Sequence, residues 1–506
     1  MQINEQDIQA IVQRVMNNIG DTIKTAPHEG CAKAFKPAIH TISVNETIEE
    51  TTEWLGVYEQ MSDAIQAADH AWKAYVKNYQ LRDREKLINS IRSAILREKQ
   101  TLARMVYEET GLGRYEDKVA KHELAATATP GIEDLKTTAF SGDDGLTLVE
   151  LAPYGVVGAV TPVTNPTETI INNAISLLAA GNAAVFNVHP SAKKSSAYVI
   201  SLINQAIVEA GGPNNLVTMV KTPTLETIDE LINCPKIKML LGTGGPGLVK
   251  KLLSSGKKAV GAGAGNPPVV VDATADLENA AKSILLGASF DNNILCIAEK
   301  SVFVLDEVAD DLIYHMISNG SYMLNQKELD DVMSFALVPY EHPSAASSCS
   351  VNVPKKYHAA KDWVGKDASL FLKNIGVQAK DDVKLLICDV TAQHPLVATE
   401  QMMPVLPIVR VKTLDEAIHL ALIAEGGNRH TAIMHSRNVN NLTRFAQASE
   451  TTIFVKNAAS LAGVGYGGEG FATMTIAGPT GEGLTSAKSF TRQRRCVLAE
   501  GGFRII

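Results

Sequence analysis

In SFDNNILCIAEKS, residues 289–301, Cys296 lies between a polar turn and an apolar strand, where an enzyme would place a nucleophile. Asp291, Asn292 and Asn293 favour turns and expose backbone donors, and the run Ser301-Val302-Phe303-Val304-Leu305 would anchor the loop. The local alternative is a free cysteine acting as a small core hydrophobe. Asn165, in Thr161-Pro162-Val163-Thr164-Asn165-Pro166, closes a strand candidate between two prolines that stiffen the turn. A rigid amide at that point suits a developing oxyanion; it would equally cap a helix beginning near Thr167. Gly242-Thr243-Gly244-Gly245-Pro246-Gly247 matches G-x-G-x-x-G after a strand and before a helix, so its glycines would let a pyrophosphate approach free N–H groups. The acidic residue expected about 20 positions later to hold a ribose is missing: that stretch reads Val260-Gly261-Ala262-Gly263-Ala264-Gly265. Any dinucleotide would therefore lie differently from the usual pose, and a plain tight turn is the other reading. Glu400 precedes a strand as either a working acid or a solvated loop charge. His430 begins another strand as either a base or a core histidine.

The elements that must position these residues alternate regularly. Helical patterns cover Met61–Lys77 and Arg84–Glu109. Strand candidates follow at Val156–Val160, Ala184–Val188, Leu216–Val220, Ile237–Leu241 and Val269–Val271, with helices at Glu168–Ala180, Ala192–Ala210, Leu225–Asn233 and Gly247–Ser255 between them. A second series runs from Val302 through Leu385–Cys388, Ile408–Val411, Ala432–His435 and Ile453–Val455. Units of about 25 to 30 residues indicate parallel sheets with crossover helices. The chain is expected to form two α/β domains joined near residue 266.

At 506 residues, with 45% hydrophobic and 20% charged residues, the chain is long enough for more than one buried core. A net charge of −8 without charged blocks argues against nucleic acid or anionic membrane as the main partner. No apolar run reaches the roughly 18 residues of a membrane span. The first 20 residues lack the pattern of a secretory signal. Six scattered cysteines, with no C-x-x-C and no metal-like spacing, fit free thiols in a reducing cytosol. Near the N-terminus, Ile3, Ile8, Ile11, Val12, Val15, Met16 and Ile19 fall on one helical stripe, and a stretch with Pro27, Gly30 and Pro37 follows as a linker. That helix is expected either to pack on its own domain or to dock on another protein.

In sequence order, TPVTNPTETIINNAI (161–175), GAGAGNPPVVVD (261–272), ASFDNNILCIAEKS (288–301), TEQMMPVLPIVRV (399–411), HTAIMHS (430–436), IFVKN (453–457), GGEGFATMTIAGPTGEGLTSAKSF (467–490) and RRCVL (494–498) resemble the aldehyde dehydrogenase superfamily. The match covers nearly all of the chain after residue 46. It is nearest to the CoA-acylating aldehyde dehydrogenases of bacterial microcompartments, the propionaldehyde and acetaldehyde enzymes of propanediol and ethanolamine use. The resemblance implies an aldehyde dehydrogenase-like α/β fold. An NAD- and CoA-binding domain would span 46–137 and 155–265, and a catalytic domain 266–463. Segments 138–154 and 464–506 would form an oligomerisation arm and tail, in which Ser489–Leu498 adds a strand to a neighbouring subunit of a homodimer or homotetramer. Residues 1–20 would be a targeting helix for a shell or cargo protein, tethered by a linker at 21–45, and would place the enzyme in the microcompartment lumen within the cytoplasm.

By the same resemblance Cys296 attacks the aldehyde, and Asn165 with the Cys296 backbone N–H holds the oxyanion. Glu400 contacts the nicotinamide ribose. Thr161, Pro162, Gly242, Thr243 and Gly244 line the cofactor site, and no metal is implied. His189 and Ser191 lie where hydrolytic members carry a lysine-containing ribose motif, and that departure leaves the cofactor contacts open. Hydrolytic relatives also have a glutamate where this chain reads Gly261-Ala262-Gly263-Ala264-Gly265-Asn266. Water needs such a base to attack a thioester; a thiol ionises far more readily. The expected product is therefore an acyl-CoA, formed from a short aldehyde such as propanal with NAD and CoA. His430 is a candidate acceptor of the thiol proton. Acetaldehyde as main substrate, a hydrolytic enzyme releasing the free acid, and a non-catalytic shell-interaction protein are the competing readings.

Overall fold

A computed structural model describes residues 54–344, 355–378 and 382–500, all within a unit that begins at Ile48. The expected targeting helix 1–20 and linker 21–45 lie outside the described residues. A six-stranded sheet runs in the spatial order Val57–Tyr58, Val217–Val220, Ala183–Asn187, Val156–Val160, Ile237–Thr243 and Lys258–Ala262, with every pairing parallel. Strands such as VVGAV at 156–160 and AAVFN at 183–187 are buried along their whole length, because helices cover both faces. Hence their near-continuous apolar composition.

The helix Pro166–Ala179 is buried at every position. Pro166 opens it at a position where the missing N–H costs no hydrogen bond. It packs against Leu81–Thr110, Tyr115–Ala128 and Lys193–Glu209. That enclosure fixes its first turn, and with it the residue just before, Asn165. The 30-residue helix Leu81–Thr110 stops at Gly111, which takes a left-handed φ of 63°.

The second sheet has seven parallel strands in the order Ser321–Met323, Leu385–Asp389, Val405–Val411, Ser301–Leu305, Pro268–Val271, Thr431–His435 and Ile453–Lys456. Both parallel sheets match the expected α/β architecture, and the predicted strands end within a few residues of the observed ones, whereas Val57–Tyr58, Lys258–Ala262 and Ser321–Met323 had no predicted counterpart. A separate antiparallel sheet joins Thr138–Gly142, Gly145–Pro153 and Thr491–Leu498. Its last strand pairs within the chain, from Thr491 opposite Pro153 to Leu498 opposite Leu146, and is mostly exposed.

Residues 464–490, grouped with the arm and tail on sequence grounds, pack on the enzyme body. Ala472 donates its backbone N–H to Ala128, Asn172 Oδ1 accepts from the Met474 N–H at 3.0 Å, and Ala477, Ala487 and Phe490 join the core around the first sheet. The many glycines of this stretch hid its apolar residues from any periodic reading.

Candidate active site

The nucleophile loop follows the helix Leu277–Ser289, whose first turn Asp276 caps through Asn279 N–H. Asp291, Asn292 and Asn293 then take left-handed φ values of 48°, 54° and 67°. Asp and Asn tolerate this region better than other side chains, yet each such residue stores about 1–3 kcal/mol. All three are buried rather than exposed as a polar turn would be. Their side chains hold the strained path in place. Asp291 accepts from Arg114 N–H at 2.7 Å and from the ammonium groups of Lys118 and Lys121 at 3.1 and 2.6 Å. Asn292 donates to Gly365 O and Asp367, both at 2.9 Å. Asn293 donates to Ala288 O and Glu299 O. Lys300 closes the loop from below, donating to Asn293 O and Oδ1 at 2.6 Å and to Leu295 O at 3.1 Å.

Cys296 emerges from this frame half-buried. Burial pushes its thiol up to about 12, Glu400 adds to the rise, and Lys300 acts against it. Burial pushes Lys300 itself down to about 8. Gly265 lies directly behind the nucleophile: a β-carbon there would fall on the Cys296 carbonyl oxygen and 3.1 Å from His430 Cγ. Glu400 accepts the Gly265 N–H at 3.3 Å, so carboxylate, glycine and cysteine form one packed group. These residues come from the N-terminal edges of four neighbouring strands of the second sheet, those starting at Pro268, Ser301, Val405 and Thr431.

Asn165 stands at the N-cap position of Pro166–Ala179 but makes no side-chain cap bond. Its Oδ1 accepts from Lys121 Nζ at 2.7 Å, while Nδ2 has only Thr164 Oγ1 at 3.5 Å. The capping role open on sequence grounds is therefore not taken. Lys121 in turn contacts Glu168 at 3.1 Å as well as Asp291. Burial alone would lower the Lys121 ammonium, but Asp291 and Glu168 outweigh it and hold it above its ordinary value. Against burial, Lys121 first, then His122 and Lys118, hold the Glu168 carboxyl down to about 2. Two lysines and two carboxylates thus share a dry site, where removing one partner typically costs about 3–5 kcal/mol.

Cys296 and Asn165 line one pocket, about 480 Å³ with its mouth included, together with Lys121, Leu124, Phe290, Leu295, Ile297, Leu461, Val464, Tyr466, Thr473, Met474 and Ile476. Its wall is apolar apart from a few polar groups, and it holds no carboxylate and no imidazole. In the segment 261–266, a β-carbon at Gly261 would sit 2.7 Å from Val249 Cγ1, and one at Gly263 would lie 3.5 Å from Pro479 Cγ.

The predicted nucleotide residues gather at the C-terminal edge of the first sheet. Strand order reverses between Val156–Val160 and Ile237–Thr243, the crevice where open α/β sheets bind ligands. Thr161 and Pro162 end one of these strands, and Gly242, Thr243 and Gly244 end the other. A β-carbon at Gly242 would strike Leu252 of the following helix, whereas Gly245 and Gly247 have no atom within 4 Å of theirs. The first glycine thus serves close packing and the later ones leave the backbone open. Thr161 Oγ1, at the end of its strand, is buried without a protein partner. His189 Nδ1 accepts from Ser191 N–H at 3.2 Å beside the same edge, and burial lowers its imidazole. These residues fit a dinucleotide.

His430 is buried and neutral. Burial first, then Lys300, pushes its imidazole down to about 4; Nδ1 meets Thr431 Oγ1 at 2.9 Å and Nε2 has no partner. Lys121 and the pocket wall at 464–476 were missed by the sequence reading. One signal was available for the lysine: on Tyr115–Ala128 the buried face is Lys118, Lys121, His122, Ala125 and Ala126, a core-facing spacing filled partly with charge. No group of residues able to hold a metal ion occurs among the described residues.

Comparison with known proteins adds an independent line. A family model described as the aldehyde dehydrogenase family matches residues 42–471. The chain is 44% identical over 505 residues, all of both proteins, to the acetaldehyde dehydrogenase (acetylating) EutE of Salmonella typhimurium. It is 46% identical to a propionaldehyde dehydrogenase from the Clostridium phytofermentans fucose utilisation bacterial microcompartment, with a TM-score of 0.84 over 89% of this chain and 100% of the other. The propionaldehyde dehydrogenase of Rhodopseudomonas palustris, solved with bound CoA and an acylated cysteine, is 48% identical, with a TM-score of 0.83 over 88% of this chain and 98% of the other.

Proposed function

This chain belongs to the aldehyde dehydrogenase family, and from that premise we propose that it converts a short aldehyde, propanal foremost, with NAD and CoA to the acyl-CoA. The observation that carries the reading is the pocket: a cysteine and an oxyanion donor on an apolar wall that holds no carboxylate, with Glu400 bonded to the Gly265 N–H outside that wall. Cys296, its proton released to solvent, bonds the carbonyl carbon through sulfur, and the C=O π pair moves onto the carbonyl oxygen. Asn165 Nδ2 and the Cys296 backbone N–H receive that charge. NAD, when bound, supplies the hydride acceptor; Gly242, Thr243, Gly244, Thr161 and Pro162 would hold it, with His189, Ser191 and Glu400 at its riboses. Loss of hydride from the former aldehyde carbon leaves a thioester on Cys296. The CoA sulfur then bonds the acyl carbon, the Cys296 sulfur leaves, and the oxyanion donors serve a second time.

Hydrolysis would need a strong base in the pocket wall to deprotonate water, whereas the CoA thiol ionises so readily that a weak base suffices. His430, packed against Gly265, is assigned the CoA proton: its neutral Nε2 can accept, although burial keeps it a weak base. A His430→Gln enzyme with wild-type acyl transfer to CoA would remove that assignment. The whole reaction is tested by following NADH and product with and without CoA. Acyl-CoA should form only when CoA is present; free acid at a comparable rate without CoA would make the enzyme hydrolytic.

Acetaldehyde as main substrate is the second reading, favoured by the full-length match to an acetylating enzyme. One methylene in an apolar pocket is worth about 1–3 kcal/mol, so the ratio of kcat/KM for the two aldehydes decides it. The sheet of Thr138–Gly142, Gly145–Pro153 and Thr491–Leu498, whose two outer strands are mostly exposed, would join subunits into a homodimer or homotetramer, which molecular mass from light scattering would test. Residues 1–20 would dock on a shell or cargo protein and place the enzyme in a microcompartment lumen. Their deletion should spare kcat/KM and release the enzyme; lost activity would refute the docking role.

A further inference from the structure

A carboxamide has two ends of nearly the same shape and opposite polarity. If Asn165 presented Oδ1 to the Cys296 pocket, it would repel the oxyanion that it is proposed to hold. The choice is made by a residue outside the sequence motif. Lys121 carries donors only, and its ammonium lies 2.7 Å from Asn165 Oδ1. It cannot turn away, because Asp291 at 2.6 Å and Glu168 at 3.1 Å grip the same nitrogen in a buried site. The oxygen end of the amide is thereby committed to the lysine, and Nδ2 is left with only the long contact to Thr164 Oγ1. A cation on the carbonyl oxygen also draws electron density from the amide nitrogen, and linked hydrogen bonds strengthen one another in a low dielectric. Lys121 lines the pocket with Cys296 and Asn165.

We propose that Lys121 is a positioning residue of the oxyanion site, locking the Asn165 carboxamide with its NH2 end toward the nucleophile and polarising that donor. The proposal rests on the oxyanion reading of Asn165. It also gives the buried charge cluster a use: Asp291 shapes the nucleophile loop and holds the lysine that orients the oxyanion donor, so the two halves of the site are set by one carboxylate.

The test is a double-mutant cycle on the full chain, assayed with NAD, CoA and propanal. Lys121→Met should lower kcat about 10- to 100-fold, somewhat less than loss of the donor itself, and move KM for the aldehyde by less than about threefold. On an Asn165→Ala background the same change should cost less than about threefold, because the group it positions is gone. Lys121→Arg, which keeps the charge, should retain more activity than Lys121→Met. The pH dependence of Cys296 alkylation should stay unchanged. If Lys121→Met fails to fold, the charge-balanced pair Lys121→Met with Glu168→Gln is measured in its place and read the same way. Equal losses on both backgrounds, a kcat within threefold of wild type, or a shifted alkylation profile would overturn the proposal and leave the oxyanion reading standing. Wild-type kcat in Asn165→Ala alone would sink the oxyanion reading first, and the proposal with it.

Discussion

Replacing Gly265 by alanine should damage catalysis through a single added methyl group. The added β-carbon would land on the Cys296 carbonyl oxygen, well inside contact distance, with the carbonyl carbon at 3.3 Å and His430 Cγ at 3.1 Å. Real β-carbons are essentially never found under 3.0 Å from such atoms, so the nucleophile backbone must retreat by about half an ångström or more. Gly265 has no left-handed φ, so the effect is one of contact, free of backbone strain. Shifts near 1 Å cost about 10²-fold in rate, and the Cys296 backbone N–H is also a proposed oxyanion donor. We expect kcat to fall about 10- to 100-fold. Overpacking of this kind destabilises by about 1–3 kcal/mol, too little to unfold the enzyme. Steady-state NADH formation at saturating substrates, beside a thermal melt, measures both effects. A folded Gly265→Ala enzyme with kcat within threefold of wild type would refute the packing of Gly265 against the nucleophile.

Three further outcomes follow from the site. Cys296→Ala should abolish turnover and leave the fold intact; NADH formation by a well-folded variant would remove the mechanism. Asn165→Ala should lower kcat by about 10² to 10³, the usual loss for one oxyanion donor, with little change in melting temperature, because its side chain caps nothing; reduced stability at unchanged kcat would restore the capping role. In the free enzyme the Cys296 thiol is pushed up to about 12, so it is protonated at neutral pH and its thiolate fraction grows about tenfold per pH unit below that value. Alkylation by iodoacetamide should rise through pH 10 without a plateau, and a plateau near pH 8 would show a thiol far more acidic than this burial permits.

The sequence by itself determined the α/β class and the boundaries of most strands of the two parallel sheets, and it singled out Cys296 as the candidate nucleophile. Parallel strands covered on both faces must be apolar throughout, so runs such as VVGAV and SVFVL mark themselves, and the cysteine motif is local. Only the tertiary structure decided how the site is held. Arg114 N–H reaches Asp291 across 177 positions and Met474 N–H reaches Asn172 across 302, separations at which no local pattern survives. Asp291, Asn292 and Asn293 have the composition of an exposed turn and are buried, because Asp291 meets the Arg114 N–H and the Lys118 ammonium and Asn292 donates to Gly365 O, all far away in sequence, while Asn293 is held by Glu299 O of its own loop. The same holds for Lys121: in sequence it is a charge on a helix, and it becomes the partner of Asn165 only when folding puts two carboxylates around it and excludes the water that would otherwise solvate it.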